Sequence, residues 1–168
     1  GDGNPEGFGP SLTYDAARGV VVLFGGLADH NGFNYRSDTW EYDGISWTQI
    51  TPTDPEGDGN PSSGALTYDA ARGVVVLFGA STWEYDGISW TKITPTDPEG
   101  DGNPSPRQSH SLAYDAARGA VVLFGGHVEY VFGGDGYLSD TWEYDGSSWA
   151  EIRATVPEAV SSPVARNL

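Results

Sequence analysis

The chain has 168 residues, with 24 acidic against 8 basic and a formal charge of −16, so its surface repels phosphate backbones and anionic lipid headgroups. Nucleic acid binding and membrane insertion are excluded as expected roles, while cations, proteins and neutral glycans remain open. The absence of cysteine removes disulfides, thiolate catalysis and cysteine-ligated metals from consideration, and the absence of methionine even at position 1 suggests a processed chain or a piece of a longer one.

The first element is the stretch Leu12 to Gly25, LTYDAARGVVVLFG, which returns unchanged at Leu66 to Gly79 and with two changes at Leu112 to Gly125. A second block, Thr39 to Ser62, recurs at Thr82 to Ser105 with the single change Gln49 to Lys92, and a shorter copy, TWEYDGSSWAEI, runs from Thr141 to Ile152. Repeats of this length indicate an array of like units stacked on one another.

Each unit parses into four short strands. In the first copy they are Ser11 to Asp15, Gly19 to Gly25, Asp38 to Asp43 and Ser46 to Ile50. The first two are joined by Ala16, Ala17, Arg18 and Gly19, and the last two by the hairpin signal Asp43-Gly44. The second strand is apolar on both faces, with Val20, Val22 and Phe24 on one and Val21 and Leu23 on the other, so it must be covered on both. The expected fold class is all-β: four-stranded antiparallel blades stacked face to face, as in a β-propeller.

The units resemble the Kelch-repeat propeller family, whose blades close the second strand with a Gly-Gly pair followed by a spaced Tyr and Trp. The matching positions are Gly25-Gly26 with Tyr42 and Trp47, Gly79-Ala80 with Tyr85 and Trp90, and Gly125-Gly126 with Tyr144 and Trp149. The second unit departs from the pattern at Ala80 and lacks most of the loop between its second and third strands. The expected arrangement is one propeller segment over 1–168, with blades at about 9–50, 64–93 and 110–152, acidic connectors at 51–63 and 94–109, and a C-terminal connector at 153–168. Three blades cannot close a ring, since closed propellers have about four to eight. The chain is therefore expected to be an open arc, either half of a six-bladed ring or a window from a longer propeller.

Strand direction reverses at each turn, so the loops between second and third strands share one end of the blades with the connectors. The irregular sequence collects there: Gly26 to Ser37, Gly126 to Ser139 and the connectors. Phe33, Tyr35, Tyr130, Phe132 and Tyr137 are the candidate binding residues of this loop face, as rings that stack on sugars or anchor a protein partner; local packing over the blade ends is the competing reading. Asp54, Glu56 and Asp58, repeated as Asp97, Glu99 and Asp101, space three carboxylates like the start of a calcium loop. The usual twelfth-position glutamate is replaced by Ala65 and Gln108, so a solvated Pro-Gly-Asp turn competes with calcium, the one cofactor considered.

Arg18, Arg72 and Arg118 read as turn or inter-blade ion-pair partners, and the six tryptophans as packing residues, because both recur at fixed positions. Catalysis finds no constellation: the acids Glu41, Glu84 and Glu143 belong to the repeat itself. The expected function is a non-catalytic module that binds a protein or glycan through its loop face, secreted or at the surface or in the periplasm of a bacterium. The alternatives are a structural subunit that oligomerises blade to blade and, with least support, a carbohydrate-active enzyme.

Overall fold

The structure, a computed structural model, describes residues 3–7, 9–29, 34–129 and 135–153. Among these there is no helix; the regular structure is three separate four-stranded antiparallel sheets. Blade 1 contains β1 (Ser11–Asp15), β2 (Val20–Phe24), β3 (Thr39–Tyr42) and β4 (Trp47–Ile50). Blade 2 contains β5 (Gly64–Asp69), β6 (Val74–Gly79), β7 (Thr82–Tyr85) and β8 (Trp90–Ile93). Blade 3 contains β9 (Ser111–Asp115), β10 (Ala120–Glu129), β11 (Asp135–Tyr144) and β12 (Trp149–Glu151). Strands follow chain order across each sheet, and β1, β5 and β9 lie side by side, so the first strand of each blade faces the concave side of the arc.

The tight turn after the first strand is made by its last residue. Asp15 is buried, and its Oδ1 accepts from the backbone N–H of Ala17 (3.0 Å) and Arg18 (3.1 Å) while Oδ2 accepts from Arg18 Nε (2.7 Å). Asp69 holds Ala71 and Arg72 in the same way. This short-range competition of an aspartate with the ladder is what ends the strand and begins the turn.

In blade 2 both faces of the second strand are covered, as its composition requires, while β2 and β10 each have one face covered by blade 2. Val22 and Phe24 of blade 1 meet Val75, Leu77, Tyr85 and Trp90 of blade 2, and Val76 and Phe78 of blade 2 meet Val121, Leu123, Tyr144 and Trp149 of blade 3. Trp90 and Trp149 have no exposed surface. Each donates its Nε1–H into the preceding blade, Trp90 to Thr39 Oγ1 (3.0 Å) and Trp149 to Thr82 Oγ1 (2.9 Å). A buried indole N–H left unpaired would cost about 1–3 kcal/mol, so the threonine in the third strand is part of the interface.

The repeated arginines form their ion pairs within a blade and meet the next blade through a ring. Arg18 is paired with Asp15 and Glu41 of blade 1, and its guanidinium lies 5.3 Å from the Tyr85 ring of blade 2. Arg72 pairs with Asp69 and Glu84 and lies 5.2 Å from the Tyr144 ring. The tyrosine hydroxyls complete the contact, Tyr85 donating to Glu41 at 3.0 Å and Tyr144 to Glu84 at 2.9 Å. Burial first, and the carboxylate beside each phenol second, push both tyrosines far above the ordinary phenol range. The Asp-Gly hairpins of blades 2 and 3 serve the same seat: a Cβ at Gly87 would lie 2.8 Å from Arg18, and one at Gly146 2.8 Å from Arg72.

One segment differs from its expectation. Gly126 to Ser139 is not simply a loop, because β10 and β11 continue past a bulge between Phe124 and Gly126 and pair through Glu129 and Asp135. The Gly-Gly pair absorbs the bulge at positive φ (64° and 108°), after which Val128, Tyr137 and Leu138 supply the side chains that suit a ladder. Among the described residues, the corresponding segment of blade 1 keeps one bridge, Leu27 to Tyr35.

Candidate functional site

The expected loop face contains a cleft of about 530 Å³ on the concave side of the arc. Its walls come from three places: the start of β1 with the segment after β2, the start of β5, and the connector that leads into β9. The residues that distinguish this cleft are Tyr35, whose place in blade 3 is held by Tyr137 and which blade 2 lacks, and Arg107, Gln108 and His110 of the connector into blade 3, which differ from the connector into blade 2. Tyr35 is 43% exposed and its hydroxyl donates to Gln108 Oε1 at 2.7 Å, so the blade 1 loop and the blade 3 connector touch across the opening.

Arg107 is the structural anchor of that wall. Its side chain is 1% exposed and forms a fork with Asp140, Nη1 to Oδ1 at 2.6 Å and Nη2 to Oδ2 at 2.9 Å. It also donates to the carbonyls of Ser105 and Gly125, each at 3.0 Å. The Arg107 fork holds the Asp140 carboxyl below the usual carboxylate range, against a smaller upward push from burial. The charge of Arg107 is thus spent inside the wall.

His110 places its Nε2 at 2.9 Å from the Phe78 carbonyl, and its Nδ1 is buried without a hydrogen-bond partner. Burial lowers its pKa, the Phe78 carbonyl opposes this, and the Arg107 cation adds to the lowering. At neutral pH the imidazole is therefore uncharged, and the lining as a whole carries no unbalanced charge. Such a surface suits a neutral polar ligand through ring stacking and hydrogen bonds.

The five candidate aromatics do not form one site. Tyr137 is 81% exposed on the β10–β11 hairpin, its ring 5.4 Å from His127, and it lines a shallower recess away from Tyr35. Phe33, Tyr130 and Phe132 lie outside the described residues. The connector residues Arg107, Gln108 and His110 are not among the residues that the sequence pattern points to. Their signal was visible as a break in the repeat, since Ser105 is followed by Pro106-Arg107-Gln108 where Ser62 is followed by Ser63-Gly64-Ala65.

The acidic triads converge: the carboxylates of Asp54, Glu56 and Asp58 can approach within 4.8 Å of one another, as can those of Asp97, Glu99 and Asp101. The aspartates are also employed in shaping the connectors. Asp54 accepts from the N–H groups of Asp58 and Gly59, both at 3.1 Å, and Asp97 from those of Gly100 (2.9 Å) and Gly102 (3.2 Å). Asp58 and Asp101 reach out to the fourth strand of the following blade, to Lys92 N at 3.1 Å and Glu151 N at 2.9 Å. These bonds tie each connector to the sheet it leads into.

Among solved structures, that of YjhT superposes on the chain with a TM-score of 0.58 at 10% sequence identity, covering 90% of the chain and 48% of YjhT. YjhT is a propeller structure. The chain is three blades of a β-propeller. It spans about half the length of the structure it matches. No family model matches the sequence, and no curated protein does.

Proposed function

We propose that the chain is a Kelch-type, non-catalytic binding module that takes a neutral glycan or a polar protein segment in the cleft beside Tyr35. The observation that carries this reading is the segregation of residues by repetition. Where two blades meet, the residues repeated in every blade are consumed by the contact between them, as Glu41 is by Arg18 and Tyr85 and Glu84 by Arg72 and Tyr144. Those that do not recur in every blade, Tyr35 from the loop that blade 2 lacks and Arg107, Gln108 and His110 from the connector into blade 3, gather around one opening. Loops that vary on a rigid scaffold are where recognition resides.

The Kelch assignment is supported by what the Gly-Gly pairs do: Gly25, Gly26, Gly125 and Gly126 all have positive φ where the second strand leaves the core. A volume of about 530 Å³ suits a short saccharide or a few side chains of a peptide. The experiment is a glycan and peptide array followed by titration of the best ligand against Tyr35→Ala and Gln108→Ala. Loss of roughly tenfold or more in affinity with unchanged circular dichroism is expected, because an aromatic platform and its hydrogen-bonded partner are removed. Wild-type affinity in both variants overturns the reading.

A further inference from the structure

The contact between successive blades occurs twice in this chain with the same parts in the same roles. The leading blade contributes a phenylalanine from its second strand, a threonine and a glutamate from its third, and the turn arginine. The following blade contributes a tryptophan that meets the phenylalanine edge-on, and a tyrosine under the arginine. Phe24 and Trp90 have ring centroids 5.4 Å apart at 68°, and Phe78 and Trp149 are 5.3 Å apart at 66°. The threonine, glutamate and arginine contacts repeat within about 0.1 Å.

Each end of the arc holds half of the same set. Blade 3 presents Phe124, Thr141, Glu143 and Arg118, the leading half. Phe124 is 56% exposed, whereas its counterparts Phe24 and Phe78 are 1% and 3% exposed. The Arg118 side chain pairs with Asp115 and Glu143 as its counterparts do, yet is 55% exposed against 29% and 27% for Arg18 and Arg72. Blade 1 presents Trp47 and Tyr42, the following half, both partly exposed, whereas Trp90, Trp149, Tyr85 and Tyr144 are fully buried. Leu12 is 50% exposed, whereas its counterpart Leu66 is 5% exposed. A Cβ at Gly44 meets nothing within 4 Å, while those at Gly87 and Gly146 would strike the arginine of the preceding blade. The seat for Arg118 is formed and vacant.

We propose that a second copy of this chain occupies both open faces, blade 3 of each copy docking on blade 1 of the other, so that two chains close a six-bladed ring. Phe124 then lies edge-on to the partner's Trp47, whose Nε1–H donates to Thr141, and Arg118 lies over the partner's Tyr42. Six blades fall within the range of closed propellers. A head-to-tail contact that closes on itself leaves no apolar face open, which a lone arc does.

The test is sedimentation velocity on the 168-residue chain at micromolar concentration, without any ligand, so that it is independent of the cleft. A species of twice 17.8 kDa is expected; a particle of 17.8 kDa throughout, or an open-ended series that grows with concentration, overturns the ring. Phe124→Glu is expected to give the single-chain mass with unchanged circular dichroism, and a variant that keeps the double mass overturns the assigned face. Should that variant fail to fold, Thr141→Val removes one hydrogen bond from each of the two contacts with little change of shape. Roughly fivefold per bond, or about 25-fold in all, is the expected loosening on dilution, and an unchanged dissociation midpoint overturns the proposal.

Discussion

Asp140, within β11, and Asp38, just before β3, hold equivalent places in blades 3 and 1, and each accepts the indole N–H of the tryptophan two residues on, at 2.7 Å and 2.6 Å. Only Asp140 also faces a buried arginine. Changing Asp140 to Asn removes the carboxylate from Arg107 and turns an amide N–H₂ toward its guanidinium. Of the two bonds to the carboxylate, at 2.6 Å and 2.9 Å, one is lost and the other is left to a neutral amide oxygen, so a side chain 1% exposed keeps its charge with only neutral acceptors. Breaking a buried pair costs about 3–5 kcal/mol. Because the Asp140 side chain is 22% exposed, and the Ser105 and Gly125 carbonyls remain, the lower end, about 3 kcal/mol, is expected. At roughly 2–4 °C per kcal/mol for a chain of this size, the melting temperature falls by about 6–12 °C. Asp38→Asn, with no arginine to strand, should cost about 1 kcal/mol. Thermal unfolding followed by tryptophan fluorescence at neutral pH measures both. Equal losses in the two variants, or a loss below about 1 kcal/mol for Asp140→Asn, would refute the argument that the buried cation sets the cost.

The same carboxyl predicts a pH dependence: its folded pKa is depressed, so its contribution is full above the unfolded carboxylate value of about 3.9 and disappears as pH falls through the lower folded value. The gap between wild type and Asp140→Asn should accordingly close in acid, as measured by denaturant titration at descending pH. His110, whose pKa is lowered by burial, is neutral in the fold, so protonation of the unfolded chain destabilises the native state once pH drops below about 6.5; His110→Gln should flatten the stability profile between pH 7 and 5, and an unaltered slope would contradict this. Gly87→Ala forces a Cβ within 2.8 Å of Arg18 at φ +98°, whereas Gly44→Ala has open space in a single chain at φ +94°; about 3 and about 1 kcal/mol of destabilisation are expected in the single-chain form, read from urea midpoints at protein concentrations where sedimentation shows one chain. Each acidic triad offers three carboxylates where calcium takes six to eight oxygens, so at about 1 mM calcium the gain should stay below about 0.4 kcal/mol, and a larger rise in melting temperature would mark the connectors as calcium sites. Since each copy carries a formal charge of −16, the ring should tighten as salt is raised from low ionic strength, and sedimentation across a salt series that shows loosening instead would assign the contact to exposed ion pairs.

The sequence by itself determined the blade. An apolar run such as Val74 to Phe78 reads as a strand covered on both faces, Asp15 and Asp43 end strands through bonds to their own neighbours, and a repeat of such units must stack. All of these are short-range effects, complete within a few residues, and so they are legible in order along the chain. Tertiary structure decided what each face meets. That Arg18 pairs inside its own blade and crosses only through the Tyr85 ring, or that Gly87 is small for the sake of an arginine in the preceding blade, depends on the angle at which two sheets stack. Gly126 to Ser139 became a hairpin because a bulge restored pairing beyond the glycines, a balance of ladder bonds against a loop that the pattern alone leaves open. The cleft was furthest from reach: Tyr35 and Gln108 are 73 positions apart, and they touch because the intervening blade is of a width that brings the connector into blade 3 back beside the loop of blade 1. Local chemistry chose the elements, and the stacking of whole sheets chose which of their surplus residues would share a site.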